Sequence, residues 1–126
     1  GIKMTFVYNS VIKNCEIYNN TGGLGCTPPC ENGGSGIFVY AGDYNLITQN
    51  AIYNNRKGGY FNKAKPTYTN IINNTLWGNG QGGIVLRCKA CEYNLIEHNN
   101  ASYNYGVGIF IGGPPQYHQE QYCIIQ

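Results

Sequence analysis

The sequence has few charged residues and hardly any aspartate. Only 11% of its 126 residues are charged, and eight Lys and Arg against six Asp and Glu give a net charge of +2. Proteins that bind nucleic acid usually cluster Lys and Arg well in excess of acidic residues. Here the basic residues are spread along the chain, so nucleic acid is not an expected partner.

Long apolar runs and strong helix formers are also scarce. No run approaches the 18 or so apolar residues of a membrane-spanning helix. Asn stands where a helix would need strong formers, and there is one Met and one Trp, which argues against a helical bundle or a Rossmann-like domain. Disorder is disfavoured because 42% of the residues are hydrophobic and net charge is low. Patterned sequence begins directly at Gly1, so we expect a mature product or a fragment of a longer protein.

Glycine and asparagine are abundant instead, with 18 of each, and both recur at regular steps. The Gly-Ile-like starts are separated by 23, 24 and 25 residues, and the Asn and Ile markers by 24 and 25. An earlier copy, residues 11–20, stands 36 residues before the next one. The recurring positions are Gly36, Gly59, Gly83 and Gly108; Asn50, Asn74 and Asn99; Asn55, Asn79 and Asn104; and Ile47, Ile71 and Ile96.

Each repeat holds short β-branched or aromatic runs that are too short to bury a core alone. Stacked as coils of a solenoid they share one core, with equivalent residues about 4.8 Å apart. The pattern predicts a single all-β domain over 1–126, with about five coils of ~24 residues and insertions at about 21–35 and 112–121. Stacked Asn side chains can hydrogen-bond from coil to coil. The predicted ladder residues are Asn14, Asn50, Asn74 and Asn99 in one row and Asn20, Asn55, Asn79 and Asn104 in the other.

The pattern Gly-Ile-x-Val, then about eight residues, then Asn-x-Ile-x-x-Asn-x-Ile-x-x-Asn resembles a known repeat. It is similar to the right-handed parallel β-helix repeat of pectate-lyase-like folds and of the carbohydrate-binding and sugar-hydrolase β-helix class, from Thr5 to Ile111. The resemblance implies a right-handed parallel β-helix (β-solenoid). It leaves function open, because lyases, glycosidases, epimerases, phage spikes and surface proteins share the repeat.

The resemblance raises the question of a polysaccharide-cleaving site, for which the acidic residues are too few. Glycosidases need paired carboxylates and a calcium site needs several oxygen ligands. Asp43 is the one aspartate, and the five Glu share no repeat position. No catalytic residue, metal or cofactor is therefore predicted. A weaker option is β-elimination in the fourth coil, where the residue types would suffice but a solvated edge is the preferred interpretation. Its residues are Arg87, Lys89, Glu92, Tyr93, Glu97 and His98.

Six cysteines in a short chain favour an oxidising compartment, outside the cell or at its surface. A zinc site from the Cys26/Cys30 and Cys88/Cys91 pairs is the alternative to disulfides, but its spacing is not standard. Cys15 is interpreted as a small buried hydrophobe. The disulfide candidates are Cys26, Cys30, Cys88, Cys91 and Cys123. Three glycosylation sequons, at Asn19, Asn73 and Asn100, fit this compartment.

Aromatic residues at matching places form a stripe that is either a platform for sugar rings or part of the core. Its members are Tyr18, Tyr53, Trp77 and Tyr103. The sequence thus favours a non-catalytic extracellular scaffold that faces or carries glycans and self-associates end to end into a fibre. Its expected partners are a polysaccharide or attached glycans. The alternatives are a fragment of a polysaccharide lyase, epimerase or hydrolase, and a fragment of a phage or surface adhesin.

Overall fold

The structure is a computed structural model that describes residues 1–22, 33–87 and 91–113, and the backbone of 123–125. The described part contains short strands and no helix. The strands are β1 (Ile2–Thr5), β2 (Val11–Lys13), β3 (Glu16–Tyr18), β4 (Ile37–Tyr40), β5 (Leu46–Thr48), β6 (Ala51–Tyr53), β7 (Gly58–Lys63), β8 (Asn70–Ile72), β9 (Thr75–Trp77), β10 (Gly82–Arg87), β11 (Asn94–Glu97), β12 (Val107–Gly112) and β13 (Cys123–Ile125).

Every strand pairs in parallel with the strand one coil away, which gives three sheets along the molecule. Sheet A has the order β1-β4-β7-β10-β12, sheet B has β13-β11-β8-β5-β2, and sheet C has β3-β6-β9. We number the coils by their sheet A strands, so that coil 1 begins with β1 and coil 5 with β12. The chain visits sheets A, B and C in turn, and the predicted all-β parallel β-helix is confirmed.

The core is built from columns of one inward residue per strand. In sheet B, Ile12, Ile47, Ile71 and Ile96 face one another in register, and each is at most 9% exposed. Sheet C adds a column of Ile17, Ile52 and Leu76, and sheet A a column of Ile37, Tyr60 and Ile84. Burial of an aliphatic side chain contributes about 1.5–3 kcal/mol, so the columns supply the main stabilisation.

The corners between sheets repeat one backbone device, a residue in the left-handed region followed by an inward polar residue. The left-handed φ angles lie between 51° and 62°. Asn tolerates this region better than other non-glycine residues, which explains part of the asparagine content. The left-handed residues are Asn9, Tyr44, Tyr68 and Tyr93 at the A-to-B corner, Asn14, Gln49, Asn73 and His98 at the B-to-C corner, and Asn19, Asn54, Gly78 and Tyr103 at the C-to-A corner.

The residues that follow form hydrogen-bonded ladders inside the corners. At the B-to-C corner, the backbone N and Nδ2 of Asn50 both donate to Oδ1 of Asn74 at 3.0 Å, and Asn74 repeats both contacts to Asn99. The row Asn20, Asn55, Asn79 and Asn104 does the same at the C-to-A corner. The amides thereby satisfy buried backbone groups that a corner would otherwise leave unpaired.

Asn14 does not belong to the first ladder, and that prediction was wrong. The backbone N of Cys15 donates to Oδ1 of Asn50 at 3.0 Å, so Cys15 holds the ladder position. Equivalent residues of coils 1 and 2 are therefore 35 residues apart at this corner, not the 36 that the repeat comparison indicates. Asn14 is the exposed left-handed residue before it, and Cys15 is half-buried.

The glycine column, formed by Gly36, Gly59 and Gly83, lies so close to the C-to-A ladder and the core that no side chain fits there. A Cβ on Gly59 would lie 2.9 Å from Nδ2 of Asn79 and 2.9 Å from Cδ2 of Leu76. Gly36 and Gly83 are similarly confined, and neither has a positive φ. A side chain at these positions would therefore collide with the ladder amides and the core.

Candidate functional site

A groove runs along the outer face of sheet A. It consists of two adjoining cavities of about 350 and 260 Å³ that share Phe61, Gln81 and Arg87. Its other lining residues are Lys57, Lys63, Gly80, Val85, Gly106, Val107 and Phe110. We call it the sheet A groove.

The floor of the groove is apolar because alternate residues of β7, β10 and β12 point outward. Phe61, Val85 and Phe110 face one another in register on neighbouring strands. Phe38, Phe61 and Val85 form an apolar cluster separate from the main core and are only 2–5% exposed. The rings of Phe38 and Phe61 are stacked, with centroids 5.9 Å apart.

The charged side chains among the described lining of the groove are all positive. Lys63 and Arg87 occupy paired positions on β7 and β10, and Lys57 lines the same cavity. Arg87 is exposed, and the two lysines are half-buried. No residue that lines the groove in the described part of the chain is acidic. The described carboxylates are elsewhere, at Glu16, Asp43, Glu92 and Glu97.

The residues weighed as a weaker option for β-elimination in the fourth coil do not come together. Arg87 lies in the sheet A groove, whereas Glu92 and Tyr93 lie at the A-to-B corner. Glu97 ends β11, where its Oε1 is 3.2 Å from Nε2 of His98. Lys89 lies outside the described residues. Of those six residues, Arg87 alone lines the groove among the described residues, together with Lys57 and Lys63. The sequence analysis missed both lysines, although Lys63 and Arg87 are separated by the repeat step of 24 residues.

Comparison with known families gives a match to the right-handed β-helix region over residues 1–115. The chain belongs to the right-handed β-helix family. The coils of the structure therefore wind in the sense that the sequence predicted. Comparisons with curated proteins and with solved structures give no significant match.

On the outer face of sheet C, this β-helix carries a stack of three aromatic rings. The ring centroid of Tyr53 is 5.0 Å from that of Tyr18 and 4.3 Å from that of Trp77, and the three rings are nearly parallel. The hydroxyl of Tyr53 donates to Oε1 of Glu16 at 2.5 Å, and this bond is the main cause that raises the pKa of Tyr53 to about 12. Both faces of Tyr53 are covered, so a sugar ring could stack only on the outer faces of Tyr18 and Trp77.

Tyr103 is not part of this stack, and the prediction that placed it there was wrong. Thr75 pairs with Asn100, which puts Ser102 opposite Trp77. Tyr103 is instead the left-handed corner residue one position later, and it is 92% exposed.

A second stack on the β-helix surface was missed by sequence reasoning. Tyr44, Tyr68 and Tyr93 stack at the A-to-B corner with centroids 4.9 Å apart. They are 44–57% exposed. They are 24 and 25 residues apart, like the asparagines of the ladders, and this spacing could have revealed the stack in the sequence. Each is followed by an inward polar residue, and these three are Asn45, Thr69 and Asn94.

The three sequon asparagines are exposed and lie away from the sheet A groove. Asn73 is at the B-to-C corner, Asn19 at the C-to-A corner, and Asn100 beside Thr75 on the sheet C side. All three side chains are open to solvent, so the predicted glycans would project from this side of the β-helix.

The cysteine predictions fall largely outside the described residues. Cys26, Cys30 and Cys88 lie there, as does the side chain of Cys123, whose backbone pairs with Asn94. Cys91 is fully buried and is not a free thiol, whereas Cys15 is one. Among the described residues, no three His, Cys, Asp or Glu side chains are grouped to hold a metal ion. The same part of the chain contains no helix of the length and apolarity needed to cross a membrane.

Proposed function

We propose that this β-helix is a non-catalytic extracellular scaffold that binds an acidic polysaccharide in the sheet A groove. The observation that carries the proposal is the position of Lys57, Lys63 and Arg87 along one groove whose described lining has no carboxylate. The groove extends across β7, β10 and β12, as a site for a linear polymer must.

Polar and apolar parts of the groove would divide the recognition of such a ligand. Carboxylate or sulfate groups would pair with Lys63 and Arg87, whose strands lie about 4.8 Å apart. The apolar faces of the sugar rings would lie against Phe61, Val85 and Phe110, as expected for a concave site with few polar groups. The scaffold role is supported by rigid columns of core residues that hold the floor in place.

A binding role accounts for the groove better than glycoside hydrolysis does. Hydrolysis requires two carboxyl groups on either side of the scissile bond. The described carboxylates are on other faces, and Glu16 is engaged with Tyr53. The exposed sequon asparagines support an extracellular location.

Calorimetric titration with a soluble polyuronate oligosaccharide tests the proposal. We expect binding that weakens as salt rises, because salt screens charge pairs. The methyl-esterified oligosaccharide should bind poorly. Replacing Lys63 or Arg87 by Ala should weaken binding about tenfold or more, the effect of losing one hydrogen bond to a charged group. The control is Lys65→Ala, which removes an exposed cation outside the groove. Equal affinity for the charged and esterified ligands would refute the proposal.

A polysaccharide lyase is the second candidate. It is favoured by the positions of Lys63 and Arg87, which are opposite each other on the neighbouring strands β7 and β10. Lys63 in its neutral form could take the proton from the carbon beside a uronate carboxylate, while Arg87 stabilises the enolate that forms. The enolate then expels the glycosidic oxygen, which takes a proton from water, and a carbon–carbon double bond remains. Ultraviolet absorbance of the unsaturated product, followed in the same titration samples, separates the two functions. Product that appears with the wild type and not with Lys63→Ala would establish the lyase.

End-to-end stacking into a fibre is a separate part of the scaffold proposal. The regular 24- and 25-residue steps support it, because a uniform coil is the unit that could continue from one chain into the next. Electron microscopy of concentrated protein would show filaments, and isolated particles at every concentration would count against them.

A further inference from the structure

The outer face of sheet B is a partly exposed surface that the proposed function does not use, and four of its eight outward residues in coils 1 to 4 are apolar. Its first row of outward side chains is Val11, Leu46, Asn70 and Leu95, in register on neighbouring strands. Val11 is 61% exposed, and the other three are half-buried. The tyrosine stack of the A-to-B corner borders this row. Exposed apolar surface of this kind marks an interaction site.

In the second row of the same face, Lys13 and Glu97 carry opposite charges three coils apart. Lys13 stands in coil 1, Thr48 and Ile72 follow in coils 2 and 3, and Glu97 follows in coil 4. Thr48 is only 8% exposed, and β13 continues sheet B beyond Glu97. Three steps of about 4.8 Å separate the two charged residues by roughly 14 Å.

We propose that the outer face of sheet B pairs with the same face of a second copy of the chain, with the two helix axes antiparallel. In a two-fold contact of this kind the coil order is reversed across the interface. Lys13 then meets Glu97 of the second copy, Ile72 meets its Thr48, and Val11 meets its Leu95. The Lys13–Glu97 pair therefore forms twice, with Thr48 and Ile72 between the two pairs and Val11 and Leu95 beside them.

The charges also disfavour the parallel arrangement of the two copies, in which Lys13 would not meet Glu97. With axes parallel, each Lys13 would lie level with the other copy's Lys13, and each Glu97 with the other Glu97. Like charges brought together at an interface are unfavourable and suppress the wrong arrangement. Sheet B has five strands, and the proposed contact uses the eight outward side chains of four of them, fewer than the roughly 20–30 residues per side of a standard stable interface. The pairing should therefore be weak and reversible.

Sedimentation velocity from about 10 μM to about 1 mM, a range that covers weak complexes, tests the pairing. We expect a monomer at low concentration and a growing dimer fraction at high concentration. Lys13→Glu and Glu97→Lys should each remove the dimer. A 1:1 mixture of the two variants should restore it, because both charge pairs form again across the mixed interface.

Lys3→Glu is the matched control, since it reverses an exposed charge on sheet A and should leave the dimer intact. Circular dichroism of each variant checks that the fold is kept. Three results would overturn the proposal: a monomer at every concentration, a dimer unaffected by either charge reversal, or a mixture that stays monomeric.

Discussion

Tyr60 and Asn62 place two polar side chains inside the sheet A core of coil 3. Tyr60 occupies the column of Ile37 and Ile84, and Asn62 the column of Val39 and Leu86. Both are fully buried, and Nδ2 of Asn62 donates to the Tyr60 hydroxyl at 3.3 Å. Oδ1 of Asn62 has no hydrogen-bond partner. A buried pair of this kind costs stability unless each group is satisfied.

Replacing only one member of the pair should be worse than replacing both. Tyr60→Phe leaves the Asn62 amide without its acceptor and should lower the free energy of unfolding by about 1–3 kcal/mol. The double variant Tyr60→Phe, Asn62→Leu removes both polar groups and should recover at least that loss. Urea unfolding at pH 7 measures both values. A double variant less stable than the single one would contradict this account.

Tyr60 also predicts how stability changes at high pH. Burial raises the pKa of its phenol to about 12, above the value near 10 in the unfolded chain. The folded state therefore holds this proton more tightly, and the contribution is complete below pH 10 and lost as pH rises through about 12. Between pH 9 and pH 11 the wild type should lose about 1 kcal/mol from this residue. Tyr60→Phe should lose less over the same interval in urea unfolding, and an equal loss would assign the effect to other groups.

Among the repeating elements, the glycine column makes the sharpest prediction. The Cβ of Gly59→Ala would lie 2.9 Å from Nδ2 of Asn79 and 2.9 Å from Cδ2 of Leu76. Because neither the ladder nor the core can yield freely, we expect a loss of about 1–3 kcal/mol. Gly58→Ala is the control, since its nearest contact is an ordinary 3.4 Å. Thermal unfolding of both variants measures the difference in stability. Equal midpoints would contradict the prediction and show that the ladder side chains move to make room for the methyl group.

The tyrosine stack shows how a corner can depart from asparagine. Tyr44, Tyr68 and Tyr93 adopt φ angles of 51–59°, which are unfavourable for a bulky side chain. Stacked rings contribute about 0.5–1.5 kcal/mol per pair beyond area burial. The coil spacing brings the rings to 4.9 Å, and the gain offsets part of the backbone cost of about 1–2 kcal/mol per left-handed residue.

The sequence predicts these elements where the repeat step stays at 24 or 25 residues. Ile47, Ile71 and Ile96 form the expected column because β5, β8 and β11 pair in register. The errors at Asn14 and Tyr103 are one-residue shifts, and along a chain whose faces alternate such a shift changes the role of a residue completely. The sheet A groove depends on which residues of β7, β10 and β12 face outward and on Lys57, which comes from outside the sheet A repeat. Periodicity alone does not fix that combination.

At the scale of the whole molecule, the three sheets present three different surfaces. Sheet A carries the cationic groove, sheet B the partly apolar face with Lys13 in coil 1 and Glu97 in coil 4, and sheet C the stacked rings. A parallel β-helix allows this division because each outward row continues straight along the axis. The surfaces can therefore change independently while the core columns stay the same.

This division predicts that attached glycans leave the sheet A groove accessible. When the protein is made in a host that glycosylates, we expect glycans at Asn19, Asn73 and Asn100, all exposed and outside the groove. Asn73→Gln is a suitable comparison, because Gln49 already adopts the left-handed φ at the same corner. Titration should give polyuronate affinities within about twofold of one another for the glycosylated protein, the variant and protein made without glycans. A tenfold change would require the binding free energy to change by about 1.4 kcal/mol. A tenfold loss on glycosylation would mean that the ligand crosses the sheet C side, because no contact within the sheet A groove would be altered by a glycan there.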